Sequence, residues 1–264
     1  MSVDRSYLSI VSWPASFDHA RRADALESCL SVDRYRAKEL SRRGTPAMFG
    51  RLPSDQCEKV AAQLREWGAV AVAVSGRTIG ESLEPMRVKS LAMPAGPSMA
   101  WGLVPWRGEA RGLDATRIAA LVRAHVRANV GGGEGDFGVQ GLHQLHGTFG
   151  AEAWDQGHSR RGRVEVIEVL DIHTIDGEHF RVAGDKFGFD GAVAKVADTA
   201  RENMDALAAA LAGPGRVGID VGFESARFLA EFARDFVPGD WRDVGGFSVY
   251  SSWAGHIAMA TRAR

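Results

Sequence analysis

The sequence predicts an α+β protein in two parts: a small α/β layer domain over residues 1–80, then a larger domain of antiparallel sheet plus helices over 85–264. Three observations lead to this. Residues 7–13 and 69–74 read as strands, with helical spacing between them. Residues 163–189 hold the strongest strand signal: Val164, Val166, Ile167, Val169, Leu170 and Ile172 precede an Asp-Gly turn, and Phe180 and Val182 follow it. Residues 198–212 then carry Ala200, Met204, Leu207 and Leu211 at the spacing of one helical face, with Gly213-Pro214-Gly215 expected to end the helix.

In the first part, Pro14 ends the opening strand. Asp18 is placed to cap a helix whose inner stripe is Ala20, Ala23, Leu26 and Leu30. Residues 33–41 form a second short helix, stopped by Gly44 and Pro46. Ser54 is the expected cap of a third, with Cys57, Val60, Ala61 and Leu64 inward and Gly68 as its stop. The expected order is therefore strand, helix, helix, helix, strand, with the helices on one face. Residues 76–84 are the expected junction. Beyond it, residues 87–93 and 98–104 read as short strands around Pro94-Ala95-Gly96-Pro97. Residues 118–130 fit a helical face through Ile118, Leu121, Val122 and Val126, but their place among strands favours sheet pairing with the later hairpin. Phe228, Leu229, Phe232 and Phe236 mark a further helix, and Trp241, Phe247, Tyr250 and Trp253 an aromatic cluster closing the core.

The hairpin register follows from its pattern. A three-residue loop, Ile175-Asp176-Gly177, puts glycine where a left-handed residue is wanted. It pairs Ile172 with Phe180 and Leu170 with Val182 on an apolar face. The other face pairs His173 with His179 and Asp171 with Arg181. A slip by one residue would exchange the faces, so the apolar set selects the register. The polar face is expected to be exposed.

The chain has 264 residues, 45% hydrophobic and 25% charged, with a formal net charge of -1. That balance gives no overall pull toward nucleic acid or an anionic membrane. No apolar run approaches the ~20 residues that span a bilayer. The opening residues lack the pattern of a signal peptide, so the cytoplasm is the expected compartment. Cys29 and Cys57 fall on helices and read as buried, inert thiols.

Ala37-Lys38-Glu39-Leu40, then Pro46, Asp55, Cys57-Glu58, Leu64 and Trp67-Gly68-Ala69-Val70 resemble the C-terminal domain of the bacterial ribosomal stalk protein. The adaptor subunit of the Clp protease is similar in fold. The resemblance covers residues 7–75 and implies a protein-binding domain. In the stalk family the helical face near the Ala-Lys pair docks translation GTPases; Lys38 and Gly68 match by position. The family's Gly-Leu repeat before that helix is replaced by Ser31-Val32-Asp33-Arg34, so the resemblance implies a binding habit and not a ribosomal role. The later strands, hairpin and helix are similar in outline to pleckstrin-homology-like folds.

Two sets of residues point to function. Arg21, Arg22, Arg34, Arg36, Lys38, Arg42, Arg43 and Arg51 concentrate positive charge in the first part. From them, Lys38, Arg42 and Arg43, with Gly68 from the resemblance, are the candidate contacts for another protein, one with an acidic surface. Aromatic residues are not interleaved for base stacking, which speaks against nucleic acid. The second set is histidine. His143 and His146 lie in a glycine-rich stretch, and His173 faces His179 across the hairpin. Cross-strand histidines have Cβ atoms about 5 Å apart, close enough to share a zinc ion, with a third ligand from the stretch and water as the fourth. Gly133-Glu134-Gly135-Asp136-Phe137-Gly138 matches the dinucleotide glycine spacing, but a poor helix follows, so no helix N-terminus awaits a pyrophosphate. Nucleophilic catalysis has no anchor. The expected function is a non-catalytic protein-binding or adaptor protein without cofactor; the alternative is a zinc-dependent hydrolase using His143, His146, His173 and His179.

Overall fold

The computed structural model describes residues 4–96, 100–130 and 163–262. The protein is α+β and falls into two compact units, Met1–Ser82 with Ser252–Arg264, and Leu83–Ser251. No helix among the described residues is long and apolar enough to cross a membrane.

The first unit holds β1 (Arg5–Ser12), α1 (His19–Leu30), α2 (Arg34–Ser41), β2 (Ala47–Pro53), α3 (Ser54–Glu66), β3 (Val70–Ser75) and α4 (Gly76–Glu81). Its sheet is antiparallel with β1 in the middle, in the order β2-β1-β3. Asp18 caps α1 by accepting from Arg21 N at 2.8 Å, and Asp33 caps α2 by accepting from Arg36 N at 2.9 Å. Strand β2 is absent from the sequence-based order. Its apolar run is only Ala47-Met48-Phe49 before Gly50, and Gly50 and Pro53 weaken the strand pattern. Ser54 is also not the cap expected of it: it opens α3, while its hydroxyl shares a 2.8 Å hydrogen bond with the Ser6 hydroxyl. Gly68 does end α3. At φ +86° it donates to Arg65 O (2.8 Å), and Ala69 N donates to Leu64 O (3.0 Å), the paired bonds of a left-handed helix stop.

The second unit opens with β4 (Met86–Ala92), β5 (Trp101–Pro105), β6 (Arg111–Leu113) and β7 (Ile118–Val130). There follow β8 (Arg163–Thr174), β9 (His179–Ala183), α5 (Ala200–Arg216), β10 (Ile219–Asp220), the one-turn α6 (Leu229–Phe232) and the start of α7 (Val244–Arg262), which continues into the first unit. Its described strands form one mixed sheet, β10-β7-β8-β9-β4-β5-β6. β7 is a strand, antiparallel to β8 with Leu121 opposite Ile172 and Val122 opposite Asp171. α5 does not stop at Gly213-Pro214-Gly215: it runs to Arg216, with Gly213 left-handed inside its last turn. The phenylalanine-striped helix is shorter than its pattern, α6 passing at once into a 3-10 turn over Ala233–Asp235.

The hairpin β8–β9 has the expected register: Leu170 opposite Val182, Ile172 opposite Phe180, Asp171 opposite Arg181 and His173 opposite His179. Gly177 sits at φ +82° at the end of the three-residue loop. The apolar face joins Met204, Leu207 and Leu211 of α5 in a buried cluster. Each such side chain removed from water contributes about 1.5–3 kcal/mol. The polar face is not exposed. Asp171, His173 and Arg181 are buried, because α7 begins with a turn that brings Phe247, Ser248 and Ser251 onto them.

Candidate functional site

The polar face of the hairpin is a closed network. Alternation along β8 puts Asp171 and His173 on one side, and the register puts Arg181 and His179 opposite them. Arg181 donates from Nε to Asp171 Oδ1 and from Nη2 to Oδ2, each at 2.7 Å. His179 Nε2 donates to Asp171 Oδ2 at 2.8 Å. The His173 and His179 rings stack with centroids 4.1 Å apart and planes 25° apart. Helix α7 closes the group: Ser251 Oγ and His173 Nε2 share a 2.8 Å bond, Arg181 Nη1 donates to Ser248 Oγ at 3.0 Å, and the Arg181 guanidinium lies 5.0 Å from the Phe247 ring centre.

Asp171 is 0% exposed. Burial alone would push its carboxyl up. The Arg181 and then the His179 charge and hydrogen bonds outweigh burial and hold it well below the usual carboxylate range. The carboxylate and the guanidinium therefore form a fully satisfied bidentate pair in the interior.

Asp171, His173 and His179 offer possible ligand atoms within 4.8 Å of one another. The structure thus brings together two of the four histidines named from sequence; His143 and His146 lie outside the described residues. The donor set suits zinc by type, but its carboxylate is already held on both oxygens by a cation. A metal ion there would displace Arg181 or sit beside its charge. Sequence reading found the Asp171–Arg181 and His173–His179 pairs. It missed Ser248 and Ser251, whose spacing of three on an otherwise aromatic-rich segment is the one available signal that a helix presents hydroxyls to a buried polar face.

The residues expected to bind protein lie in the first unit. Lys38 and Arg42 are exposed, on and just after α2. Arg43 is half-buried: its guanidinium donates to Met48 O and lies 5.7 Å from the Phe49 ring centre. Gly68 is at the α3–β3 connection, 3.4 Å from Pro14 Cγ as judged from where a Cβ would stand, and so serves the helix stop. The basic set is smaller than its count. Arg34 is paired with Asp24 and Glu27, and Arg36 with Glu39. Among the described residues neither Lys38 nor Arg42 has an ion-pair partner.

Cys29 and Cys57 are free and buried. Burial pushes the Cys29 thiol up to about 11; burial, with a smaller contribution from Glu58, takes Cys57 up to about 12. Neither is an activated nucleophile.

No family model, curated protein or solved structure matches the chain.

Proposed function

We propose that the protein is a non-catalytic, protein-binding protein of the cytoplasm, and that the exposed side of α2 contacts an acidic partner. The observation that carries this is the charge accounting on that helix. Two of its arginines are neutralised in place, whereas Lys38 and Arg42, four residues apart and so on one side, are exposed without an ion-pair partner among the described residues. Tyr35, 81% exposed, lies on the same side three residues before Lys38. An exposed tyrosine beside unneutralised cations is the composition of an interface, where aromatic side chains supply contact area and cations supply orientation. The stalk-domain resemblance over residues 7–75 points to the same helix.

The buried network favours this reading over a zinc hydrolase. Hydrolysis needs a metal with an open position, while the Asp171 carboxylate is closed by Arg181 and the group is covered by α7. Free buried thiols fit a reducing compartment.

The test is affinity purification from the native host with the wild-type chain and with K38E/R42E, followed by titration of the purified partner. Both positions are exposed, at the C-terminal end of α2, so reversing them is expected to cost only about 1 kcal/mol through the helix dipole, and thermal unfolding checks that the variant stays folded. A partner recovered by the wild type and weakened about tenfold or more by the double charge reversal supports the reading. Identical recovery and identical affinity refute it.

A further inference from the structure

A second surface lies in the other unit. β4 and β5 pair antiparallel, and Lys89 sits in the bulge between Val88 and Ser90. Just after β5, Trp106 is 43% exposed, and its backbone N–H donates to Arg87 O at 2.9 Å. Two cations stand at its ring: the Arg87 guanidinium 6.0 Å from the centroid and Lys89 Nζ at 5.9 Å. Arg107 follows, exposed. Against these three charges stand Asp185, which interacts with Arg87, and Glu109 on the same loop as Arg107. Val104, on β5 two residues before Trp106, is also exposed.

We propose that this face of β4 and β5, centred on Trp106 with Arg87, Lys89 and Arg107, is a docking surface for an acidic peptide segment of a partner protein. It is distinct from the α2 side and stands or falls independently of it. The charge pattern is complementary to carboxylates and is local, since the whole chain carries a formal net charge of only -1. Asp185 attracts Arg87, while Arg181 and Arg107 repel it; an incoming carboxylate adds a second attraction. Trp106 gives the peptide a flat apolar contact at the centre of the charges, the usual position of an energetic anchor. Nucleic acid fits less well. Single strands bind by stacking successive bases on several open aromatic faces; among the described residues of β4 to β6 and their connections Trp106 is the one exposed ring.

The test is a titration of a fluorescein-labelled deca-glutamate peptide, read by anisotropy at low salt. It uses the K38E/R42E background, so that the α2 side does not contribute and the two proposals fail separately. Parallel titrations use a ten-residue thymidine oligonucleotide. The expected result is salt-sensitive peptide binding, weakened about tenfold or more by Lys89→Glu with Arg107→Glu, and several-fold by Trp106→Ala. All three side chains are exposed, so these variants are expected to keep the parent's thermal unfolding. No binding at low salt overturns the proposal, as does an affinity the substitutions leave unchanged. Tighter binding of the oligonucleotide, lost in the same variants, overturns it in favour of nucleic acid.

Discussion

Arg181 grips both oxygens of Asp171 across the β8–β9 hairpin, at 2.7 Å each, with both side chains buried. The pair does not have to be a net source of stability, because taking two charges out of water costs much of what their attraction returns. Removing one partner is a different matter. Asp171→Leu or Arg181→Met alone leaves a charge buried without its counter-ion and is expected to cost about 3–5 kcal/mol. The double variant D171L/R181M is expected to cost clearly less than the two single losses summed. Urea unfolding of the four proteins measures this, and additive losses would mean that the pair is not coupled.

The register of this hairpin was legible in the sequence. Asp176-Gly177 and the alternation of Leu170, Ile172, Phe180 and Val182 admit one pairing, and that pairing is observed. The fate of the polar face was not legible. Alternation separates the faces without saying whether water or a helix covers the second one, and α7 comes to it from some seventy positions further along the chain. The same limit explains β7. Both of its faces are buried only near its start, where Ala120 and Leu121 are both inside; from Val122 to Ala128 buried Val122, Ala124, Val126 and Ala128 alternate with Arg123, His125 and Arg127. The buried start, with its register shift between Ile118 and Ala120, leaves Ile118, Leu121, Val122 and Val126 at helical spacing. The charge on α2 was overcounted because Asp24 and Glu27, which neutralise Arg34, come from α1.

Ser251 is the link from α7 to His173. Ser251→Ala removes the hydroxyl and leaves a ring nitrogen buried with one partner fewer. The expected loss is about 1–3 kcal/mol, against a few tenths for Ser225→Ala, an exposed residue that ends the 3-10 turn Gly222–Ser225. Equal, small effects would show that the helix is held by its aromatic residues alone.

Gly68 has room for a methyl group, but at φ +86° it is in the left-handed region. Gly68→Ala is therefore expected to lose about 1–2 kcal/mol through backbone strain, and Gly68→Asn less, since asparagine tolerates that conformation. Thermal unfolding that ranks alanine at or above wild type would refute the assignment of the helix stop.

The two thiols give a labelling prediction. With Cys29 pushed up to about 11 and Cys57 to about 12, little thiolate exists at pH 8. Iodoacetamide is expected to label the folded protein more than ~100-fold more slowly than the unfolded chain, whose thiols have pKa values near 8.5. Rapid labelling of either cysteine under native conditions, followed by mass spectrometry, would show that its helix opens.

Asp171 also sets a dependence on acid. In the unfolded chain its carboxyl binds a proton near pH 4. In the folded protein Arg181 and His179 hold it far lower, against the burial that alone would raise it. Above about pH 4 both states are ionised and the stabilising contribution is fully present. Below it the unfolded state takes up a proton that the folded state refuses, so this contribution falls by up to about 1.4 kcal/mol per pH unit. Asp171→Asn is expected to be less stable than wild type at pH 7, because Arg181 loses its counter-ion, and to lose less additional stability between pH 5 and pH 3. Urea midpoints across that range test the sign. Parallel pH profiles for the two proteins would mean that the acid limb belongs to other carboxylates and that Asp171 is not held ionised by the network.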